Sequence, residues 1–340
     1  MSGRERYRAI RRIGRGGMAE TFECILERES GERERVCVKR ILPAYRGDAE
    51  IRRLFREEGR LALDLEHPNI IRALSSFEDE EGPGLAFEMI DGVNLREIID
   101  HRRARGGALP IAAVIHLMRS IARGLDYAHR RRSPIVPGGL IHRDITPSNL
   151  LVDLSGELKI GDFGIARALD EARRDREPIR GKLPYLAPEY AIGAGDDERS
   201  DLFSLGIVAY ELLALTRPYP HESVYSRVRA QKRARLDMIA EPPAPSATIE
   251  RGDVPPRLLQ LIDSLLAIDP AERPMSAHAA LGALDELGAI GKKTRPSLAR
   301  LVERCQEWRE RADQEAEAGA LEETESLREE STVRLDIRAS

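Results

Sequence analysis

Asp144, Asn149 and Asp162 fall within one short stretch, IHRDITPSNLLVDLSGELKIGDFG (residues 141–164), and are the side chains best suited to chemistry. Two apolar segments, Asn149–Val152 and Glu157–Ile160, flank a Ser155-Gly156 turn, the pattern of a short β-hairpin. One end of that hairpin carries Asp144 and Asn149, the other Asp162. Two carboxylates and an amide carbonyl are therefore expected to meet at one edge. Hard oxygen ligands of this kind suit Mg²⁺, which prefers one or two carboxylates plus the phosphates of a substrate. A carboxylate beside such an ion can take the proton of an attacking hydroxyl.

The elements that would position these groups can be read along the chain. Tyr7–Ile13 alternates and ends in Gly14-Arg15-Gly16-Gly17-Met18-Ala19, after which Glu20–Leu26 resumes a strand. Glycines at such a turn let a backbone approach a ligand closely. A Ser30-Gly31 turn leads to Val36-Cys37-Val38-Lys39. Lys39 is one of only six lysines among 54 basic residues, so an ammonium in a buried-looking strand asks for a reason. Asp48–Leu65 has helical apolar spacing, and either Glu57 or Glu58 could face that lysine. Ile70–Glu78 and Leu85–Met89 read as two further strands joined by a turn at Gly82-Pro83-Gly84. Ala112–Arg132 fits a central buried helix, as does the apolar run from Asp201 to about Leu215. Leu258–Ile268 and Ala277–Leu287 add two more helices.

The ordered set of glycine loop, Lys39 strand, His142-Arg143-Asp144, Asn149, Asp162-Phe163-Gly164 and Ala187-Pro188-Glu189 resembles the protein kinase superfamily, in its bacterial Hanks-type serine/threonine branch. The resemblance covers roughly residues 7–290. It implies an α+β, two-lobed fold: a small antiparallel-sheet N-lobe with one main helix over residues 1–88, and a larger, mostly helical C-lobe over 89–290. ATP and Mg²⁺ are the implied cofactors, and proteins with serine or threonine hydroxyls the implied substrates. Lys39 becomes the phosphate-anchoring lysine. Counting back from His67-Pro68-Asn69-Ile70, which resembles the family's turn after the main helix, selects Glu58 as its partner. Asp144 becomes the base, Asn149 and Asp162 the metal ligands, and His142 a packing residue. The implied nucleotide-binding set is Ile13, Gly14, Arg15, Gly16, Gly17, Met18, Ala19, Thr21, Cys37, Lys39, the gatekeeper position Phe87, Glu88 and Met89 of the hinge, Asp91, and Leu151. Asp201 resembles the residue that ties down the catalytic-loop backbone, and Arg273 the arginine that pairs with Glu189.

The chain departs from the family pattern at four places. Ala19 replaces the third loop glycine and Thr21 a valine, changes expected to tune nucleotide affinity. Thr146 stands where serine/threonine kinases carry a lysine two residues after the catalytic Asp, and Lys182 stands where they carry a threonine. The two residues normally touch, so lysine and threonine look exchanged, with Lys182 supplying the ammonium near Asp144. Residues 165–184 contain no serine, threonine or tyrosine, so activation-loop phosphorylation is not expected to be needed. Asp170, Glu171, Asp175 and Glu177 are available as permanent acidic substitutes. The competing reading is a pseudokinase that binds nucleotide or acts as a scaffold. Thr146 and Ala19 favour it, and the intact Lys39, Glu58, Asp144, Asn149 and Asp162 oppose it.

Composition narrows the remaining classes. Charged residues make up 33% of 340 and the formal net charge is −4, so no global bias points to nucleic acid or a membrane surface. Cys24, Cys37 and Cys305 have no paired or metal-ligand spacing, as in a reducing compartment. No apolar run approaches the ~20 residues that span a bilayer, and the first residues lack an apolar signal core. The expectation is a soluble, cytoplasmic protein. In the tail, residues 291–340, Leu298, Leu301, Val302, Cys305 and Trp308 share one helix face that should pack on the large lobe. From Ala312 the tail turns acidic, as flexible segments do, and it leaves self-association or adaptor binding open.

Overall fold

Strands β1 (Arg6–Arg15), β2 (Ala19–Glu27) and β3 (Arg33–Ile41) follow one another as antiparallel neighbours in the computed structural model. The described residues are 6–132, 138–163, 183–191, 195, 197–219, 244–288 and 291–333. β4 (Ala73–Asp79) and β5 (Gly82–Glu88) complete a sheet of order β1-β2-β3-β5-β4. The β4–β5 turn is Glu80-Glu81, not the expected Gly82-Pro83-Gly84, which lies inside β5. The glycines serve a different purpose there. Gly82 has φ +101°, and a Cβ on Gly84 would run into the ring of Phe77 on β4. The expected strand start at Ile70 also shifts to Ala73; Ile70 instead makes a parallel bridge to Ile160.

Helix α1 (Ala49–Leu63) begins at Asp48, whose carboxylate accepts from the backbone N–H of Glu50 and Ile51 and satisfies two of the open donors of the first turn. Its buried face includes Ile51, Leu54, Phe55 and Ala62. Gly59 lets α1 lie flat on β5, because a Cβ there would clash with Leu85 Cδ2. That close approach brings the neighbouring Glu58 to Lys39.

The larger lobe is built on α3 (Ile111–Arg130) and α5 (Glu198–Ala214), with α2 (Leu95–Arg105), the short α4 (Pro188–Ala191), α6 (Pro256–Leu265) and α7 (Ala277–Asp285) around them. α5 is buried without a break from Ser200 to Leu213, a mostly apolar helix enclosed on all sides whose buried acids, Asp201 and Glu211, are hydrogen-bonded. A three-stranded sheet, β6 (Gly92–Asn94), β7 (Leu150–Asp153) and β8 (Leu158–Ile160), lies at the top of this core. β7 and β8 form the expected hairpin around Ser155-Gly156, with Leu151 opposite Lys159.

The last helix, α8 (Thr294–Val333), buries Leu298, Leu301, Val302 and Cys305 in the large-lobe core. Trp308 meets His101 edge-on, with ring centroids 5.8 Å apart. Helical backbone continues past Ala312, where the acidic composition suggested a flexible stretch. The segment is rich in alanine, glutamate and leucine, all strong helix formers. No helix among the described residues is long and apolar enough to cross a membrane.

Candidate active site

The loop before β7 takes its shape from one buried acid. Asp201, fully buried at the start of α5, accepts from the backbone N–H of His142 at 2.8 Å and of Arg143 at 2.7 Å. His129 Nε2 lies 2.8 Å from the same carboxylate. Burial alone would raise the Asp201 carboxyl; the His129 hydrogen bond and the backbone donors outweigh it and hold it below the ordinary range. Arg143 and Asp162 both have left-handed backbones, φ 64° and 57°. Such a conformation costs a non-glycine residue about 1 kcal/mol or more and persists where surrounding bonds over-determine it. Asp201 supplies those bonds at Arg143.

His142 is a packing residue, as expected. Its Nδ1 accepts from the Asp144 N–H at 3.1 Å, which leaves Nε2 to donate to the Gly161 carbonyl at 2.9 Å. Its ring also meets Phe163 edge-on at 4.5 Å. The imidazole thus ties the segment bearing Asp144 to the segment bearing Asp162.

Asp144 is nearly buried, and Asn149 Nδ2 donates to its backbone oxygen at 2.9 Å and to Oδ2 at 2.8 Å. Lys39 Nζ donates to Asp162 Oδ1 at 2.6 Å and lies 3.7 Å from Glu58 Oε1. Burial would lower the Lys39 pKa, but the charges of Asp162 and Glu58 prevail and raise it, so the ammonium persists at neutral pH. Glu57 is excluded as the partner: it pairs with Arg53 at 2.7 Å on the helix surface.

An apolar cavity between the lobes is lined by Ile13, Gly14, Thr21, Cys37, Phe87, Glu88, Met89 and Leu151, all expected from sequence. Burial is the main reason the Cys37 thiol is pushed up to about 12, with the nearby Asp162 charge adding to it. A second cleft continues from the first through Arg15, Gly16, Gly17, Met18 and Ala19 to Asp144 and Thr146. Met18 also anchors the loop, because its side chain packs with Ile41, Ile51, Phe55 and Leu85. Asp91 is a correction: it lines neither cleft, and Arg35 on β3 holds it in an exposed ion pair at 2.9 Å. Lys182 and the acidic residues 170–177 lie outside the described residues, so only the Thr146 half of the exchange is placed.

Sequence reasoning missed two features. Lys159 on β8 reaches Glu88 at 2.7 Å and ties the hairpin to the segment between the lobes; its rarity in an arginine-rich chain was the available signal. The cluster of Arg96, Arg103, Tyr185 and Glu211 in the second cleft had no linear signature, since α2, α5 and the stretch before α4 meet only in the fold.

The residues present fit Mg²⁺. Asn149 spends its amide nitrogen on Asp144, so the oxygen is what it has to offer a cation. The Asp162 carboxylate sits across the same cleft, half exposed. Among the described residues no cluster of three His, Cys, Asp or Glu forms a full protein cage. Mg²⁺ seldom uses one, because it keeps water and substrate phosphate oxygens.

A family model for the protein kinase domain matches residues 7–283. The chain belongs to the protein kinase family. Bacterial kinases are among its relatives. It is 32% identical to the tyrosine-protein kinase MasK of Myxococcus xanthus over 82% of this chain and 42% of that one. It is also 32% identical to the serine/threonine-protein kinase PknA of Mycobacterium tuberculosis, over 86% of this chain and 63% of that one. The kinase domain of M. tuberculosis PknI superimposes with a TM-score of 0.59 at 27% identity, covering 83% of this chain and 96% of that one. The chain spans from about two fifths to under two thirds of the length of these two curated relatives. Both clefts lie within the residues that the family model matches, and α8 lies beyond them.

Proposed function

We propose that the chain transfers the γ-phosphoryl group of ATP to serine or threonine hydroxyls of proteins. The observation that carries this reading is Lys39 Nζ, set between Asp162 and Glu58 in a cleft it shares with an Asp144 tethered by Asn149. The adenine would occupy the apolar cavity beside the backbone of residues 88–90. The Lys39 ammonium would meet the phosphates, held in place by Glu58. Asn149 and Asp162 are the residues that would hold Mg²⁺, which when bound offsets charge on the phosphate oxygens. The acceptor oxygen forms the new bond to the γ-phosphorus as the bond to the bridging oxygen breaks and ADP leaves. The acceptor's proton goes to the Asp144 carboxylate, whose orientation the Asn149 N–H fixes.

Two finer points belong to the same reading. Lys182 would supply the ammonium that Thr146 cannot, and transfer would proceed without loop phosphorylation because residues 165–184 offer no hydroxyl. The name of MasK favours a second reading, with tyrosine as acceptor; Ile145-Thr146-Pro147-Ser148 does not match the Ala-Arg that usually follows the Asp of tyrosine kinases. The test is phosphate transfer from labelled ATP with Mg²⁺ to the chain itself and to a generic acceptor, followed by phosphoamino-acid analysis. Transfer to serine or threonine that Asp144→Asn abolishes is the expected outcome. Absence of any transfer refutes the reading, and phosphotyrosine alone moves it to the second. Thr146→Lys and Lys182→Thr should each lower kcat, and the double variant should recover part of it. Purely additive losses refute the exchange.

A further inference from the structure

The cleft that holds Asp144 and Thr146 does not end there. It continues along the large lobe to Arg96 and Arg103 of α2, Tyr185, Glu211 of α5, and Arg217 just beyond α5. Among the described residues Glu211 is the only carboxylate lining this extension, and it is sealed. It is fully buried; Arg96 contacts its two oxygens at 2.8 and 3.1 Å, Arg103 adds a contact at 3.1 Å, and Tyr185 Oη donates at 2.6 Å. Tyr185 itself is held protonated by burial and by the Glu211 charge, so the phenol is the donor. A basic side chain arriving in the cleft would find both oxygens already used and would face guanidinium groups instead.

The guanidinium groups remain within reach. Arg96 and Arg103 side chains are 29% and 39% exposed, against 0% for Glu211. Asp100 balances Arg103 at 3.0 Å from the outer side and does not line the cleft. Arg217 is exposed, and among the described residues no carboxylate lies within ion-pair distance of it. It reaches the cleft because Leu215 closes α5 in a left-handed conformation, φ 57°, and turns the chain. Among the described residues Arg96, Arg103 and Arg217 thus outnumber Glu211 and Asp100, with the positive edges exposed and Glu211 shielded.

We propose that this extension selects acceptor segments with an acidic side chain near the target hydroxyl and rejects basic ones, Arg217 and Arg103 making the contact. The proposal rests on the phosphotransferase reading and names its substrate class. Its specificity has two parts, attraction of a carboxylate and denial of a partner to an incoming cation. Arg96 is a positioning residue, since it keeps Glu211 occupied.

The test uses the full chain with three acceptor peptides that share one hydroxyl and carry aspartate, alanine or arginine at the flanking positions. Wild type should prefer the acidic over the neutral peptide by roughly tenfold in kcat/KM, about the worth of one charge-assisted contact, with the basic peptide the poorest. The acidic-to-neutral ratio should fall towards one in Arg103→Ala and Arg217→Ala, and Arg217→Glu should favour the basic peptide. Because each ratio is internal to one variant, partial loss of folded protein does not move it. Equal use of acidic and neutral peptides by wild type, or a ratio that survives both alanine variants, overturns the proposal and leaves the transferase reading standing. No transfer to any peptide or to the chain itself overturns both.

Discussion

Lys39 has two acidic neighbours at unequal distances, and the inequality makes a prediction. Asp162 bonds it directly at 2.6 Å, whereas Glu58 stands 3.7 Å away. Removing the ammonium in Lys39→Met should lower kcat/KM for ATP by about two to three orders of magnitude, the scale of one lost charge at a developing oxyanion. Glu58→Gln keeps the shape and leaves Asp162 in contact, so a loss of about tenfold is expected, on the scale of a single hydrogen bond to a charged group. Steady-state kinetics at varied ATP checks both, and equal losses would show that Glu58 does more than position. Neither loss should vary with pH near neutrality. The folded Lys39 pKa is raised, so its contribution is complete below the ordinary 10.5 and is lost only as pH climbs through the higher folded value. Asp201 has the opposite sign. Its carboxyl is depressed below 3.8, so its stabilisation is complete above that value and is lost as pH falls through the depressed one. Asp201→Asn should cost about 3 kcal/mol at pH 7, as breaking a buried charged network does, and should flatten the acid limb of denaturant-midpoint against pH. An unchanged acid limb would assign that limb elsewhere, to pairs such as Glu189 with Arg273.

Helices set where these groups stand, and two of them can be tested at that scale. Gly59→Ala on α1 places a Cβ against Leu85, which has no exposed surface and so no room to turn aside. The helix must lift from β5, at about 1–3 kcal/mol for an overpacked core, and Glu58 leaves Lys39 as it does. Thermal denaturation should show the first effect and a raised KM for ATP the second. α8 acts on the other side of the site. Arg295 pairs with Glu157 at 2.7 Å, and its backbone oxygen abuts Gly156 at the hairpin turn. Arg309 pairs with Glu97 at 2.7 Å, and Glu97 in turn accepts from the Asn94 N–H at the end of β6. α8 therefore buttresses the strands that carry Leu151 and lead to Asn149 and Asp162. A chain ending at residue 290 exposes the core face left by Leu298, Leu301, Val302 and Cys305, each large side chain worth about 1.5–3 kcal/mol of burial. Its melting point should fall well below that of the full chain even though the matched family region is intact. The helical stripe was readable because its apolar spacing is local. The length of α8 was not, because acidic composition signals solvation whether or not the backbone is helical.

At the scale of the whole molecule, what the sequence disclosed and what it hid divide by the range of the interactions. Asp144, Asn149 and Asp162 were legible because a single hairpin brings them together. Lys39 and Glu58 were legible because their elements are neighbours in one small sheet-and-helix lobe. Asp91 was misplaced because its partner, Arg35, lies on a strand whose outward face is not marked in the linear order. The glycines at 82 and 84 were read as a turn because close approach to Phe77 leaves no trace until β4 and β5 pair. Lys159 belongs to the same hidden class, and it joins the two lobes. It projects from the large-lobe hairpin to Glu88, the last residue of the small-lobe sheet, and Glu88 also accepts from the Arg72 N–H at 2.8 Å. Lys159 and Glu88 are each about four-fifths buried, so the pair is partly screened and worth about 1 kcal/mol, the upper end for a partly exposed contact. Its place fixes what that energy does: it holds the connecting segment, whose backbone borders the apolar cavity, against the strand that leads to Asp162. Lys159→Met should therefore raise KM for ATP about fivefold, the equivalent of that energy, while altering kcat less. High salt should narrow the difference between wild type and variant, because part of the contact is electrostatic and reachable by ions. A variant that lowers kcat and leaves KM untouched would show that the link serves the transfer step and not the seating of the nucleotide.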